Sequence, residues 1–389
     1  MQRTKQVVLL SVHYFESKRQ VGFHWIADAF WRAGWEVIFV TGYLSWLSFL
    51  RPGNRFLPYP VRSEANHLKW VRPGLGSYVR FMPYHPVSLG NQLLNQLTTP
   101  LFSRFGELPL GELEQWIIGA DLFIFENGPD LMLFDRFKQL NPAARYVYRV
   151  SDYLGSRDVH PVIKEAEKRV VSRFDLVSAP CDFIYQKFRD LPNAAIHPHG
   201  IARNLFDNPF PNPYKIDNVN AVFVGNSKVD LDFAERATRI FPEWLFHFIG
   251  PIRGLPSRHN SIIYGELPFA QTVPYLQHAD IGLQMLNYLP GIESVTDSLK
   301  MMQYTYCALP IVAPEFLRSN KPHVFYYHPG DDLTIHEALL AASKFDRSLV
   351  PRFSVQTWDS VACTLAGEAL VSFDDASTVD QDQKGKPGV

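Results

Sequence analysis

The chain has 389 residues, is 46% hydrophobic and carries a formal net charge of −1. That length suits two domains, each able to bury a proper core, and the near-neutral charge excludes a general nucleic-acid binder. Its three cysteines, Cys181, Cys307 and Cys363, lack CxxC spacing, which fits a reducing cytosol and excludes a disulfide framework or a structural zinc site.

The opening MQRTKQVVLLSVHYF contains an apolar run too short for a secretory signal. No run reaches the ~18 apolar residues of a membrane span, so the expectation is a soluble or peripheral protein. Gln6 to Val12 reads as a buried parallel strand. Phe23, Ile26, Ala27, Phe30 and Trp31 follow helical spacing, with Gly34 where a C-cap belongs. Glu36–Thr41 is the next strand, and further strands fall at Leu122–Phe125, Tyr146–Val150 and Leu176–Ala179. This β-α-β series predicts a doubly wound sheet, closed by a strand and exit loop at Ala194–Ile201.

Between Tyr43 and Arg104, seven cations (Arg51, Arg55, Arg62, Lys69, Arg72, Arg80, Arg104) stand against one acid, Glu64. Trp46, Phe49, Phe56, Tyr59, Trp70, Tyr78, Phe81 and Tyr84 are interleaved with them. The pattern suits an anionic membrane surface; a buried aromatic lid with solvated arginines is the competing reading.

Residues 1–203 therefore form one Rossmann-like domain, and the Pro- and Asn-dense stretch 204–218 reads as a linker. A second series follows over residues 219–351. Strands are expected at Ala221–Val224, Phe246–Ile249, Ser261–Tyr264, Ile281–Met285 and Pro310–Ala313, with helices at Asp232–Ile240 and around Thr272–His278. Residues 352–373 read as a C-terminal helix able to pack back on the first domain, and 374–389 as a polar, disordered tail. No G-x-G-x-x-G follows the first strand and no G-x-x-x-x-G-K-[ST] occurs, so dinucleotide oxidoreductases and P-loop kinases lack their phosphate loop.

The stretch Glu293–Pro310 carries the strongest chemical signal. It reads as a helix that opens Thr-Asp-Ser and places Lys300 in its first turn, where the helix dipole disfavours a cation. Open N–H groups, a hydroxyl and an ammonium at one helix start invite an anion; a snorkelling surface lysine is the alternative. Asp152 follows the strand Tyr146–Val150, where a carboxylate can accept a hydroxyl proton or cap the next helix. Glu266, at a strand end of the second half, can bind ribose hydroxyls or a base edge, or be a solvated loop acid. Asn226 and Ser227 follow Gly225, where backbone approaches a ligand closely, or form a plain turn. His197 and His199 lack a third metal ligand nearby. Asp230-Leu-Asp232 has the D-x-D form of metal-dependent sugar transferases but falls at a helix start, which favours capping. His13 and Glu16 follow the first strand and face its cleft.

The ordered segments VFVGN, FHFIGP, YGELPFAQTVPYLQHADIGL and DSLKMMQYTYCALPIVA resemble the nucleotide-sugar half of GT-B glycosyltransferases, two Rossmann-like domains facing an interdomain cleft. Together with LLSVHYF, Val150-Ser151-Asp152 and Tyr264–Glu266, they are similar to the GumK-like glucuronosyltransferases of glycosyltransferase family 70. That resemblance implies a cleft aspartate acting as base at Asp152, phosphate contacts at Ser298, Lys300 and Gln303, and a nucleotide contact at Glu266. Leu299 stands where the family has Met, and Tyr288 is the candidate for its cleft tyrosine. The resemblance further implies UDP-glucuronate as donor and a polyprenyl-diphosphate-linked mannosyl oligosaccharide as acceptor. It implies inversion at the anomeric carbon without a metal, and a peripheral location on the cytoplasmic face of the inner membrane. A UDP-sugar epimerase, a transferase using another UDP-hexose, a retaining transferase and a non-catalytic two-lobed binding protein are the rival readings.

Overall fold

The computed structural model describes residues 3–50, 56–156, 158–215, 218–226 and 228–370. Arg51, Arg55, Arg157, Ser227 and the tail 374–389 lie outside the described residues. The chain divides into two units, Met1–His197 with Trp358–Val389, and Pro198–Thr357.

The first unit holds strands β1 (Gln6–Ser11), β2 (Glu36–Ser45), β3 (Leu68–Arg72), β4 (Leu75–Met82), β5 (Leu122–Glu126), β6 (Arg145–Arg149), β7 (Leu176–Ala179) and β8 (Ala194–Ile196). They form one sheet in the order β3-β4-β2-β1-β5-β6-β7-β8. Its helices are α1 (Gly22–Arg32), α2 (Trp46–Leu50), α3 (Gln92–Phe102), α4 (Leu113–Gly119), α5 (Phe134–Leu140), α6 (Pro161–Val170) and α7 (Asp182–Tyr185). The second unit begins with α8 (Arg203–Phe206). Its strands β9 (Asn220–Val224), β10 (Leu245–Ile249), β11 (Ser261–Gly265), β12 (Ile281–Leu283), β13 (Ile311–Pro314) and β14 (Val324–Tyr327) are ordered β11-β10-β9-β12-β13-β14. Helices α9 (Leu231–Ile240), α10 (Phe269–His278), α11 (Leu299–Tyr306) and α12 (Asp332–Ser343) cover it, and α13 (Trp358–Ala366) belongs to the first unit.

Every pairing is parallel except β3 with β4. The central strands are buried on both faces, which is why VVLL within QVVLLS and LFIF within LFIFE read as unbroken apolar runs. Each sheet reverses its winding beside its first strand, between β1 and β5 and between β9 and β12. Ligands of such sheets bind outside the carboxyl ends of those strands.

Three expectations need correction. The stretch after Tyr43 is neither a lid nor wholly a surface: Leu68–Met82 is a hairpin that adds two strands to the first sheet. Among the described residues, most of its cations are also engaged. Arg80 is fully buried with its guanidinium 4.8 Å from the Phe105 ring. Lys69 is ion-paired with Glu16 and Glu64, and Arg72 with Asp28. Arg62 stacks 3.9 Å over Phe49. The segment exposes Leu93, Leu94, Leu97 and Leu101 along α3 and Trp46 and Leu50 on α2, together with Arg62, Arg104 and the polar Asn91, Gln92 and Gln96. Spacing of four residues places Leu93, Leu97 and Leu101 on one helical stripe.

The second correction concerns 204–218, whose described residues pack as part of the second unit. The Tyr214 hydroxyl donates to the Tyr275 carbonyl and its ring lies 4.5 Å from His247. The division falls instead at His197/Pro198. Pro and Asn density marks irregular backbone, and here that backbone is held by side-chain contacts. Third, the last helix stops at Ala366 because Gly367 takes a positive φ of 74°.

Candidate active site

In the second unit the winding reversal brings together Gly225 after β9, Gln284 after β12 and the start of α11. Helix α11 begins at Leu299 with Ser298 as its N-cap residue, yet the Ser298 side chain makes no cap bond. Asp297 is ion-paired with Lys321. The first turn of α11 holds no acid, so its open N–H groups keep their positive field.

Lys300 is half-buried as a residue, with its ammonium 3.9 Å above the Phe223 ring. A Cβ on Gly225 would sit 3.0 Å from Lys300 Nζ, so the glycine leaves the space the ammonium occupies. Among the described residues Lys300 has no carboxylate partner, and burial pushes its pKa down to about 7. A cation held in that way has its charge costs unmet until an anion arrives.

The helix is held in place by Tyr304. Its hydroxyl lies 3.2 Å from the Val222 carbonyl, 3.1 Å from that of Leu283 and 3.3 Å from Val224 N–H. The ring rests on Gly282, where a Cβ would come within 2.7 Å of it. One side chain thus fixes α11 across β9 and β12, and with it Ser298, Lys300 and the half-buried Gln303. Leu299 is the first helical residue and is also half-buried. Gly250 is constrained as tightly: a Cβ there would lie 1.8 Å from the Gly225 carbonyl oxygen. The carboxyl edge of β9 and β10 is therefore bare backbone, open to close approach by a ligand.

Other expected residues are placed differently. Asn226 is exposed just beyond Gly225, and Glu266 is exposed at the end of edge strand β11. Tyr288 is 60% exposed and sets its ring edge-on to Phe316. Asp230 caps α9, accepting from Phe233 N–H at 3.0 Å, and takes a bond from the Tyr327 hydroxyl. Asp232 pairs with Arg236 one turn on, so the D-x-D pair is occupied by helix chemistry.

In the first unit, Asp152 is exposed on the loop after β6. Its backbone is gripped by Asn127, whose Oδ1 accepts from Ser151 N–H at 2.8 Å and Asp152 N–H at 3.2 Å. Asn127 Nδ2 returns a bond to the Asp152 carbonyl at 3.0 Å. Next to it, buried Glu126 accepts from Ser11 Oγ at 2.6 Å and Val12 N–H at 2.9 Å. Asp130 is fully buried against Gly42, and burial pushes its pKa up to about 7. Glu126, Asn127 and Asp130 were not singled out from the sequence, although acids and amides directly after LFIFE are a usable signal for a strand-end site.

Helix α3 packs beside this loop. Phe102 joins Leu154, Val162 and Ile163 in one cluster, and His160 Nε2 bonds the Asn95 carbonyl at 2.9 Å. A polar cleft of about 570 Å³ lies there, lined by Ser88, Asn91, Asn95, Thr99 and Asp158 among others.

Residues 9–180 match the family described as glucuronosyltransferase GumK, N-terminal domain. The first unit resembles a GumK N-terminal domain over those residues. Similarity to GumK extends beyond it. Over 351 residues, 87% of this chain and 84% of the relative, the chain is 29% identical to the UDP-glucuronate:glycolipid 2-beta-glucuronosyltransferase of Xanthomonas campestris pv. campestris. It is 25% identical over 193 residues, 44% of the chain and 48% of the relative, to the putative teichuronic acid biosynthesis glycosyltransferase TuaH of Bacillus subtilis (strain 168). Among solved structures, HepE of Anabaena in complex with UDP superposes with a TM-score of 0.55 at 11% identity, covering 98% of this chain and 100% of that one. OtsA gives 0.56 at 11% identity, covering 97% and 99%. The GumK-like chain thus has the GT-B fold of two parallel α/β sheets, as the family resemblance implied.

Proposed function

We propose that this protein is an inverting glycosyltransferase that moves glucuronate from UDP-glucuronate to the mannose of a polyprenyl-diphosphate-linked oligosaccharide. The setting is xanthan-like exopolysaccharide synthesis at the inner face of the bacterial inner membrane. The observation that carries the reading is Lys300, a half-buried cation with only an aromatic partner among the described residues, at a helix start beside a glycine at the winding reversal. Its natural complement is a diphosphate. The name of the Xanthomonas relative supports glucuronate and a glycolipid.

In the reaction, the acceptor hydroxyl oxygen attacks the anomeric carbon and its proton passes to the Asp152 carboxylate. The bond from that carbon to the diphosphate oxygen breaks, and the electron pair leaves with UDP. Lys300, Ser298 and the open N–H groups of α11 stabilise the charge that develops there. These groups take the task that a divalent ion has in metal-dependent transferases, so no metal is assigned. Gln303 and Asn226 complete the phosphate contacts, Glu266 takes the nucleotide end, and Ser227 and Tyr288 are further donor contacts. The leucine stripe of α3 supports a bilayer contact, and the polar cleft behind it suits the sugars of the acceptor.

A donor screen with a synthetic mannosyl lipid tests this, with products weighed by mass spectrometry. Addition of one glucuronosyl residue from UDP-glucuronate, and none from UDP-glucose, is expected. Transfer from UDP-glucose alone would replace the donor, and consumption of the nucleotide sugar without acceptor would favour an epimerase.

A further inference from the structure

Gln284 is the first residue after β12, and its backbone N–H completes the sheet by donating to the Val312 carbonyl at 2.8 Å. Its side chain is 1% exposed. The amide nitrogen lies 3.4 Å from Ser298 Oγ, at the N-cap of α11. The amide oxygen is buried and has no hydrogen-bond partner among the described residues. Buried acceptors left unmatched are rare in folded proteins and call for an explanation. A shape-matched apolar residue would remove that cost at this position.

A diphosphate diester offers acceptors only, so it cannot satisfy a carbonyl oxygen; a hydroxyl can. The order of strand ends decides which hydroxyl. Along the sheet the ends run Glu266 on β11, then β10, then Gly225 with the Lys300 ammonium on β9, then Gln284 on β12. Glu266 and Gln284 stand three strand spacings apart, roughly 14 Å, with the cation between them. If the diphosphate lies at Lys300 and the nucleoside on the Glu266 side, the group on the Gln284 side is the transferred sugar.

We infer that Gln284 is a donor-recognition residue whose side-chain carbonyl accepts a hydroxyl of the transferred sugar. This rests on the placement of the diphosphate proposed above. By holding Ser298 with its other end, Gln284 ties sugar recognition to the phosphate-binding turn. A site built to bond a hydroxyl discriminates strongly against ligands that lack it.

The test is Gln284→Met, which keeps volume and removes the whole amide, the carbonyl acceptor together with the 3.4 Å contact to Ser298. Affinities for UDP and for UDP-glucuronate are measured by calorimetry on the full chain, together with the thermal midpoint. The expected result is a UDP affinity reduced no more than about threefold, since the Ser298 contact is long, a roughly tenfold weaker UDP-glucuronate affinity and a midpoint that holds or rises. Equal weakening of both ligands would confine the amide's role to the UDP portion, through Ser298 or the nucleotide, and overturn the assignment. Unchanged affinity for both would also overturn it, as would a lowered midpoint with both affinities lost, which marks a structural role. A wild-type chain that binds UDP normally leaves the diphosphate site standing in each of those cases. A wild-type chain that binds neither ligand overturns the diphosphate site and the inference together.

Discussion

Lys300→Met is expected to lower turnover about 10²–10³-fold, as removal of a group aimed at developing charge does elsewhere, and to weaken UDP binding with it. The same residue sets a pH dependence. Burial holds the free ammonium's pKa at about 7, and a bound diphosphate stabilises the charged form, so the bound pKa lies higher. The free site therefore loses its charge as pH rises through about 7, whereas the complex keeps it. Affinity for a UDP-sugar, whose diphosphate does not titrate in this range, should be flat below about pH 7 and fall up to tenfold per unit above it. Calorimetry at about pH 8 in two buffers of different ionisation enthalpy should register proton uptake on binding. Lys300→Met should remove both signatures. An affinity that stays level from about pH 6 to 9 would show that the ammonium does not meet the phosphates.

Asp152→Asn is expected to reduce turnover about 10²–10⁴-fold, the usual contribution of a positioned general base, and to leave UDP affinity within twofold of wild type or about 0.4 kcal/mol. The substitution is close to isosteric, and Asn127 holds the loop through the backbone of Ser151 and Asp152. The thermal midpoint, measured alongside, separates loss of the base from loss of the fold. Single-turnover kinetics with saturating donor isolate the chemical step. Wild-type rates in that assay would remove Asp152 from the base role.

Much of the architecture was legible because it rests on local signals. The fully buried parallel strands are continuous apolar runs, and the phosphate-site helix is marked by a lysine in the wrong turn. The hairpin Leu68–Met82 was not legible, since its charged residues mimic a surface until Arg80 is seen buried and Lys69 and Arg72 paired. Glu64 lies only five residues from Lys69, but the other partners, Glu16 and Asp28, lie far along the chain, and sequence alone does not show which acids these cations meet. The leucines of α3 had the opposite fate: their periodicity implies burial, and only the fold reveals that the stripe faces outward. Gln284 gave no signal, because a lone glutamine after a strand is ordinary until its carbonyl is found buried without a partner. Asn127 was missed for a similar reason, its role being to hold the backbone of a residue 25 positions away.

The geometry of the product bond is the most direct test of the central claim. UDP-glucuronate carries its sugar in the α configuration, and one in-line displacement by a hydroxyl deprotonated at Asp152 inverts it. NMR of the product formed from UDP-glucuronate and a mannosyl glycolipid should show a single β-linked glucuronosyl residue on mannose. An α-linked product, or glucuronate released to water or epimerised on the nucleotide, would contradict the account.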